Sequence, residues 1–203
     1  MTTTVDLTKV YRSEYTARDD PATVDVPRRA YLMVDGAGDP NTSPAYQDAL
    51  ATLYPLAYGL RAAIKQATDI AYKVMPLEGL WWVEDPSQFS FDDRTNWRWT
   101  IMICQPDEAD SELAATVLPE VIRKKKLPAG DLARLEWFGD GAAAQILHRG
   151  PYADEAPTID RLHNFILDEG YQFRGRHHEI YLTDARKSDP ARNRTILRQP
   201  IGR

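Results

Sequence analysis

Apolar and polar positions change period several times along the chain, and each change marks an element. Arg29 to Val34 is a short, largely apolar run stopped by the turn formers Asp35-Gly36-Ala37-Gly38-Asp39-Pro40, which predicts a strand. From Ser43 to Lys65, Tyr46, Leu50, Leu53, Ala57, Leu60 and Ile64 recur at intervals of three and four, the stripe of an amphipathic helix. Pro55 is expected to kink it. Ala71 to Val83 and Asn96 to Gln105 are rich in aromatic and β-branched residues and flank the polar stretch Glu84 to Thr95, so they read as two strands around a turn. The first half therefore has the order β-α-β-β.

A polar helical segment runs from about Asp110 to Lys126, with Arg123-Lys124-Lys125-Lys126 at the end where cations complement the helix dipole. Leu132 to Phe138, the turn Gly139-Asp140-Gly141 and Ala142 to Arg149 then form an antiparallel hairpin pattern. Gly150-Pro151 breaks the strand, and Ile159, Leu162, Phe165 and Ile166 mark a helix that Gly170 can stop in a left-handed conformation. His177 to Thr183 and Arg194 to Ile201 follow as strands. The order is again β-α-β-β, and both cycles end alike, in Ile103-Cys104-Gln105-Pro106 and Leu197-Arg198-Gln199-Pro200. The expectation is one α+β domain over 1–203, built of two pseudo-repeats, about 24–106 and 131–203, joined by the helical segment 107–130. Duplicated units of this kind lay an antiparallel sheet with helices on one face and leave a central ligand cleft between the halves.

Strand alternation places His177, Glu179, Tyr181 and Thr183 on one side and His178, Ile180 and Leu182 on the other. Ile180 and Leu182 are expected against the helices, which sends Glu179 and Tyr181 into the cleft. Five tryptophans and ten tyrosines supply aromatic walls, Trp81, Trp82, Trp97 and Trp99 from strands and Tyr54 and Tyr58 from the first helix. A carboxylate among rings attracts planar cations, and with less hydration it accepts a proton more readily near neutral pH. The first property suits a sensor or a binding protein, the second a general base. His148 and His178 are read as structural.

Composition narrows the classes further. The chain has 203 residues and a net charge of −5, without a basic stripe for duplex nucleic acid. Arg174 to Arg203 carries eight basic and three acidic residues, read as solvated strand and loop arginines rather than a nucleic-acid arm. The single cysteine, Cys104, excludes an internal disulfide framework and a thiolate zinc cluster and fits a reducing compartment. No secretory signal and no transmembrane run is present, so a cytoplasmic protein away from membranes is expected. His148, His163, His177 and His178 show no metal-ligand spacing, and Gly36 and Gly38 lack a dinucleotide or P-loop pattern, so neither metal nor cofactor is expected.

Val24-Asp25-Val26-Pro27, Met33 to Asn41, Pro76-Leu77-Glu78-Gly79-Leu80-Trp81-Trp82, His178-Glu179-Ile180-Tyr181-Leu182-Thr183-Asp184 and Thr195 to Pro200 closely resemble the stand-alone GyrI-like small-molecule-binding proteins. His148-Arg149-Gly150-Pro151-Tyr152 is similar to the H-x-G-P-Y element before that family's second helix. The resemblance spans nearly the whole chain and implies duplicated SHS2-type units, as in the Rob C-terminal domain, around an aromatic cleft for a small aromatic or cationic molecule. For the stand-alone branch it further implies hydrolysis of cyclopropanoid genotoxic compounds, with Glu179 as general base and Tyr152 as the other catalytic candidate. Tyr58, Trp81, Trp82, Trp97, Tyr181, Glu78 and His148 are the candidate ligand contacts; Tyr152, His148, Tyr58 and Tyr181 are also candidate donors to a developing phenolate. Glu78 reads either as a counterpart of Glu179 or as a strand-end residue bonding backbone amides. The alternatives are a non-catalytic drug-binding or sensor protein and a gyrase-inhibitor-like partner-binding protein.

Overall fold

A computed structural model describes residues 3–88, 90, 93–184 and 189–203. The described chain begins with β1 (Thr3–Val5), α1 (Leu7–Val10), β2 (Ala22–Val26), β3 (Arg29–Ala37), α2 (Pro44–Thr68), β4 (Ile70–Tyr72), β5 (Leu77–Trp82) and β6 (Arg98–Cys104). It continues with α3 (Ser111–Lys125), β7 (Arg134–Phe138), β8 (Gly141–Arg149), α4 (Ala156–Asp168), β9 (Gln172–Phe173), β10 (His177–Tyr181) and β11 (Arg194–Gly202). Both β-α-β-β orders are present, as β3-α2-β5-β6 and β8-α4-β10-β11. The chain divides into two compact units: Met1–Leu7, Arg29–Met75 and Trp81–Phe138 in the first, Thr8–Arg28, Pro76–Leu80 and Gly139–Arg203 in the second.

In the first unit β3 pairs antiparallel with β6 on one side and β7 on the other. The predicted strand runs three residues past Val34, through the turn formers. Gly36 leaves room for the indole of Trp99 there, which a Cβ would overlap. Helix α2 buries Ala49, Leu53, Leu56, Ala57, Leu60 and Ile64, and its helical assignment continues through Pro55. Helix α3 starts at Asp110, whose carboxylate accepts the Leu113 N–H at 2.8 Å, and ends on Arg123, Lys124 and Lys125. The single strand expected over Ala71 to Val83 is two, β4 and β5, and β4 pairs parallel with β1. Phe89, Phe91 and Asp92 of the predicted turn stretch lie outside the described residues.

In the second unit β8 pairs antiparallel with β2 and with β11, and β11 with β10. Ile159, Leu162 and Ile166 of α4 pack on Ala144 and Ile146 of β8 and on Leu197 and Ile201 of β11. Gly170, at φ 75°, lets the chain turn off the end of α4. The expected hairpin of β7 and β8 does not form: β7 pairs with β3, while β8 takes β2 and β11. The Gly139-Asp140-Gly141 link instead turns the Asp140 carboxylate inward, where it meets His178 and Arg198. No helix among the described residues is long and apolar enough to cross a membrane.

Candidate functional site

Paired residues of neighbouring strands point to the same face. Glu179 is paired with Leu197, and Leu197 with Ile146, both of which pack under α4. His177, Glu179 and Tyr181 therefore lie on the α4 face, and His178 and Ile180 on the other. Alternation is as expected, but the assignment of faces is reversed: Ile180 faces away from the helix, and Glu179 stands on its side. The reason is that both faces of this sheet are covered, one by α4 and the other by the Thr8–Arg28 segment. Gln145, on the Ile180 face, donates to the carbonyls of Ser13 and Thr16, and Leu147 N–H to that of Arg18.

On the α4 face Glu179 is sheltered, its side chain 13% exposed. The Tyr181 hydroxyl donates to Oε2 at 2.7 Å. His177 Nε2 stands 3.4 Å from Oε1, an electrostatic contact too long for a strong hydrogen bond. The Tyr152 ring meets that of Tyr181 edge-on at 5.5 Å, and Tyr152 is 37% exposed. His148 holds Tyr152's stretch in place: Nε2 donates to the carbonyl of Pro151 at 3.1 Å, which leaves Nδ1 to accept from the Thr158 hydroxyl at 3.0 Å. From α4, His163 completes the surroundings of His177. Its pKa is held below the ordinary histidine value, first by burial and then by the positive field of His177, against a weaker pull from Asp160.

The other face carries a buried group of charges whose meeting no motif announced. His178 is fully buried; Nδ1 lies 2.7 Å from Asp140 Oδ2 and Nε2 3.0 Å from Glu78 Oε2. The Tyr15 hydroxyl donates to Glu78 Oε1 at 2.5 Å. Arg198, 1% exposed, faces Asp140, donates to Gln145 Oε1 and binds the carbonyl of Glu14. Arg198 thus departs from the reading of the C-terminal arginines as solvated, while Arg186 and Lys187 lie outside the described residues. Glu78 bonds side chains rather than strand-end amides and lies with His178, on the opposite face from Glu179. A signal for this group was Arg198 itself, an arginine set between Ile196-Leu197 and Gln199-Pro200-Ile201 in β11.

Burial by itself lowers the His178 pKa, but Asp140 and then Glu78 outweigh it, so the imidazolium is favoured. Burial likewise raises the Asp140 pKa, and His178 and Arg198 reverse that to a net lowering. A raised histidine pKa contributes stability that is complete below the unfolded value of 6.5 and disappears as pH rises through the folded value. A lowered aspartate pKa contributes stability present above the unfolded value of 3.8 and lost as pH falls through the folded one. Denaturant unfolding of wild type and His178→Gln should therefore differ most between pH 3.8 and 6.5. The gap should narrow as pH rises further; a gap that widens with alkalinity would contradict the ion network.

The remaining selected residues belong to the first unit. Trp81 and Trp97, each 6% exposed, meet edge-on at 5.8 Å, and Tyr46 of α2 stands 6.1 Å from Trp81 and 5.2 Å from Trp99. Trp97 Nε1 donates to the Ser90 carbonyl at 3.0 Å. Trp82 is half-buried, and Tyr58 projects from α2 with 57% exposure. A cavity of about 300 Å³ in this unit is bordered by Asp35, Asp48 and Asp131 and contains none of the selected residues.

A model of the GyrI-like small molecule binding domain matches residues 19–201. The chain belongs to the GyrI-like family. This GyrI-like protein is similar to a conserved protein of Listeria innocua, with 33% identity over 98% of this chain and 100% of the other and a TM-score of 0.90. It is also similar to a hydrolase from Listeria innocua, at 32% identity, the same two coverages and a TM-score of 0.87. The C-terminal domain of EcmrR, at 12% identity, 91% and 98% coverage and a TM-score of 0.56, shares the GyrI-like fold. No curated protein sequence matches the chain.

Proposed function

We propose that this GyrI-like protein is a hydrolase of small aromatic electrophiles, with cyclopropanoid genotoxic compounds as the substrate class and Glu179 as general base. The observation that carries the reading is how the two oxygens of Glu179 are used. Oε2 is held by the Tyr181 hydroxyl, while Oε1 accepts no hydrogen bond among the described residues and has only His177 at 3.4 Å. A sheltered carboxylate fixed at one oxygen and open at the other is arranged to take a proton. The similarity to a Listeria innocua hydrolase over the full length of that chain supports hydrolysis as the reaction type.

The step runs on a cyclopropane fused to a conjugated dienone. Water attacks a ring carbon and gives a proton to Glu179 as a new C–O bond forms. The strained C–C bond breaks, and its electron pair passes into the dienone, which becomes a phenolate. The Tyr152 hydroxyl stabilises that oxyanion and the phenolate takes up a proton, while Glu179 returns its own to solvent, so the net change is addition of one water. His148 serves by fixing the stretch that bears Tyr152. The same reading takes the two β-α-β-β runs, about 24–106 and 131–203, as copies of one unit.

The test is to mix the protein with a large excess of a spirocyclopropane cyclohexadienone and quantify the ring-opened alcohol by chromatography. Many equivalents of product per protein are expected. Consumption that stops at one equivalent would overturn hydrolysis in favour of capture.

A further inference from the structure

A strand residue serves one face with its side chain, while its backbone is shared with neighbours that serve the other, so clamping one side chain fixes the residues beside it. On β10 that clamp is His178. Both of its ring nitrogens face carboxylate oxygens, at 2.7 Å and 3.0 Å. An ionised carboxylate only accepts, so the ring supplies both protons and is an imidazolium. The groups around it are Glu78 from β5, Asp140 from the link into β8, Arg198 from β11, and Tyr15, next to the buried Glu14, from the Thr8–Arg28 segment.

We propose that protonated His178 is the positioning residue of the Glu179 site, holding β10 from the far face, and that loss of its proton releases Glu179 and Tyr181 from their working geometry. With the proton, Glu78, Asp140, His178 and Arg198 sum to zero charge. Without it a buried net negative charge remains, and one nitrogen–oxygen contact sets acceptor against acceptor. The backbone that must yield is one peptide bond from Glu179. This inference rests on the function proposed above for that residue.

The first experiment needs no substrate: NMR of the wild-type protein, followed from about pH 6 to about pH 9 through the His178 ring nitrogens, the Glu179 amide and the Tyr181 ring. Two ring protons on His178 at neutral pH are expected, with the Glu179 and Tyr181 signals shifting at the same midpoint as its deprotonation. A neutral His178 ring at neutral pH, or Glu179 and Tyr181 signals indifferent to its titration, would overturn the proposal.

The second experiment is Asp140→Asn, which keeps shape and removes the charge that retains the proton. With the dienone as probe, kcat should fall about tenfold to a hundredfold while KM stays within about twofold, and the alkaline limit of activity should move to lower pH. A folded variant with unchanged kcat and pH limit would overturn the proposal. If the variant does not fold, the wild-type titration decides. If wild type fails to turn over the dienone, the proposed hydrolysis fails, while the same titration still decides whether His178 governs the geometry of Glu179.

Discussion

Glu179→Gln is expected to fold as the wild type does and to lose dienone hydrolysis by about 10²–10⁴-fold, the usual contribution of a general base. The amide can still accept from the Tyr181 hydroxyl, so the 2.7 Å contact that orders the side chain has a replacement. Basicity at the other oxygen has none. Ethidium, a planar aromatic cation, separates chemistry from capture in the same variant. Its affinity, read by fluorescence, should weaken only by the loss of one charge, whereas turnover should disappear. Hydrolysis retained within about threefold would remove Glu179 from the role of base.

The largest effect on stability is expected at Arg198. Arg198→Met leaves Asp140 facing His178 alone and deprives Gln145 Oε1 and the Glu14 carbonyl of their donor inside the protein. Breaking a buried ion pair by removing one partner costs about 3–5 kcal/mol. The unfolding midpoint in denaturant should fall accordingly. A loss under about 1 kcal/mol, the range of exposed pairs, would show that water reaches these groups. Arg192→Met is the control, since Arg192 is exposed and its removal should leave the midpoint nearly unchanged.

These expectations show where the sequence was legible. Helices α2 and α4 stand where apolar spacing put them, because one stripe of each is buried and the rest meets solvent, and α3 stands where a polar helical segment with a cationic end was read. The β-α-β-β order was readable twice for the same reason. The hairpin of β7 and β8 was not, because adjacent strands separated by a turn signal pair only when no better partner exists, and β3 provides one for β7. The division of β10 into faces was legible, but not which face meets α4. An apolar residue such as Ile180 reports burial, and where both faces are covered burial does not name the layer.

That Glu179 and Tyr181 share one face followed from period two alone, and Tyr152 came with the H-x-G-P-Y resemblance. The buried charges opposite them did not emerge, since Tyr15, Glu78, Asp140, His178 and Arg198 come from five separate stretches that local spacing does not connect. The repeated Gln-Pro endings did hold a clue. Cys104 and Arg198 occupy matching positions, the first beside Tyr31 and the second beside Gln145 in register. Both are buried, and a charge at a buried position requires partners in the interior.

The central claim is that Glu179 draws a proton from water rather than attacking the ligand itself. A single turnover of the dienone in ¹⁸O water, with protein in excess and both product and protein analysed by mass spectrometry, tests it most directly. Heavy oxygen is expected in the ring-opened alcohol from the first turnover and none in the Glu179 carboxylate. Product carrying ordinary oxygen, with the label in Glu179 or an adduct left on it, would contradict it.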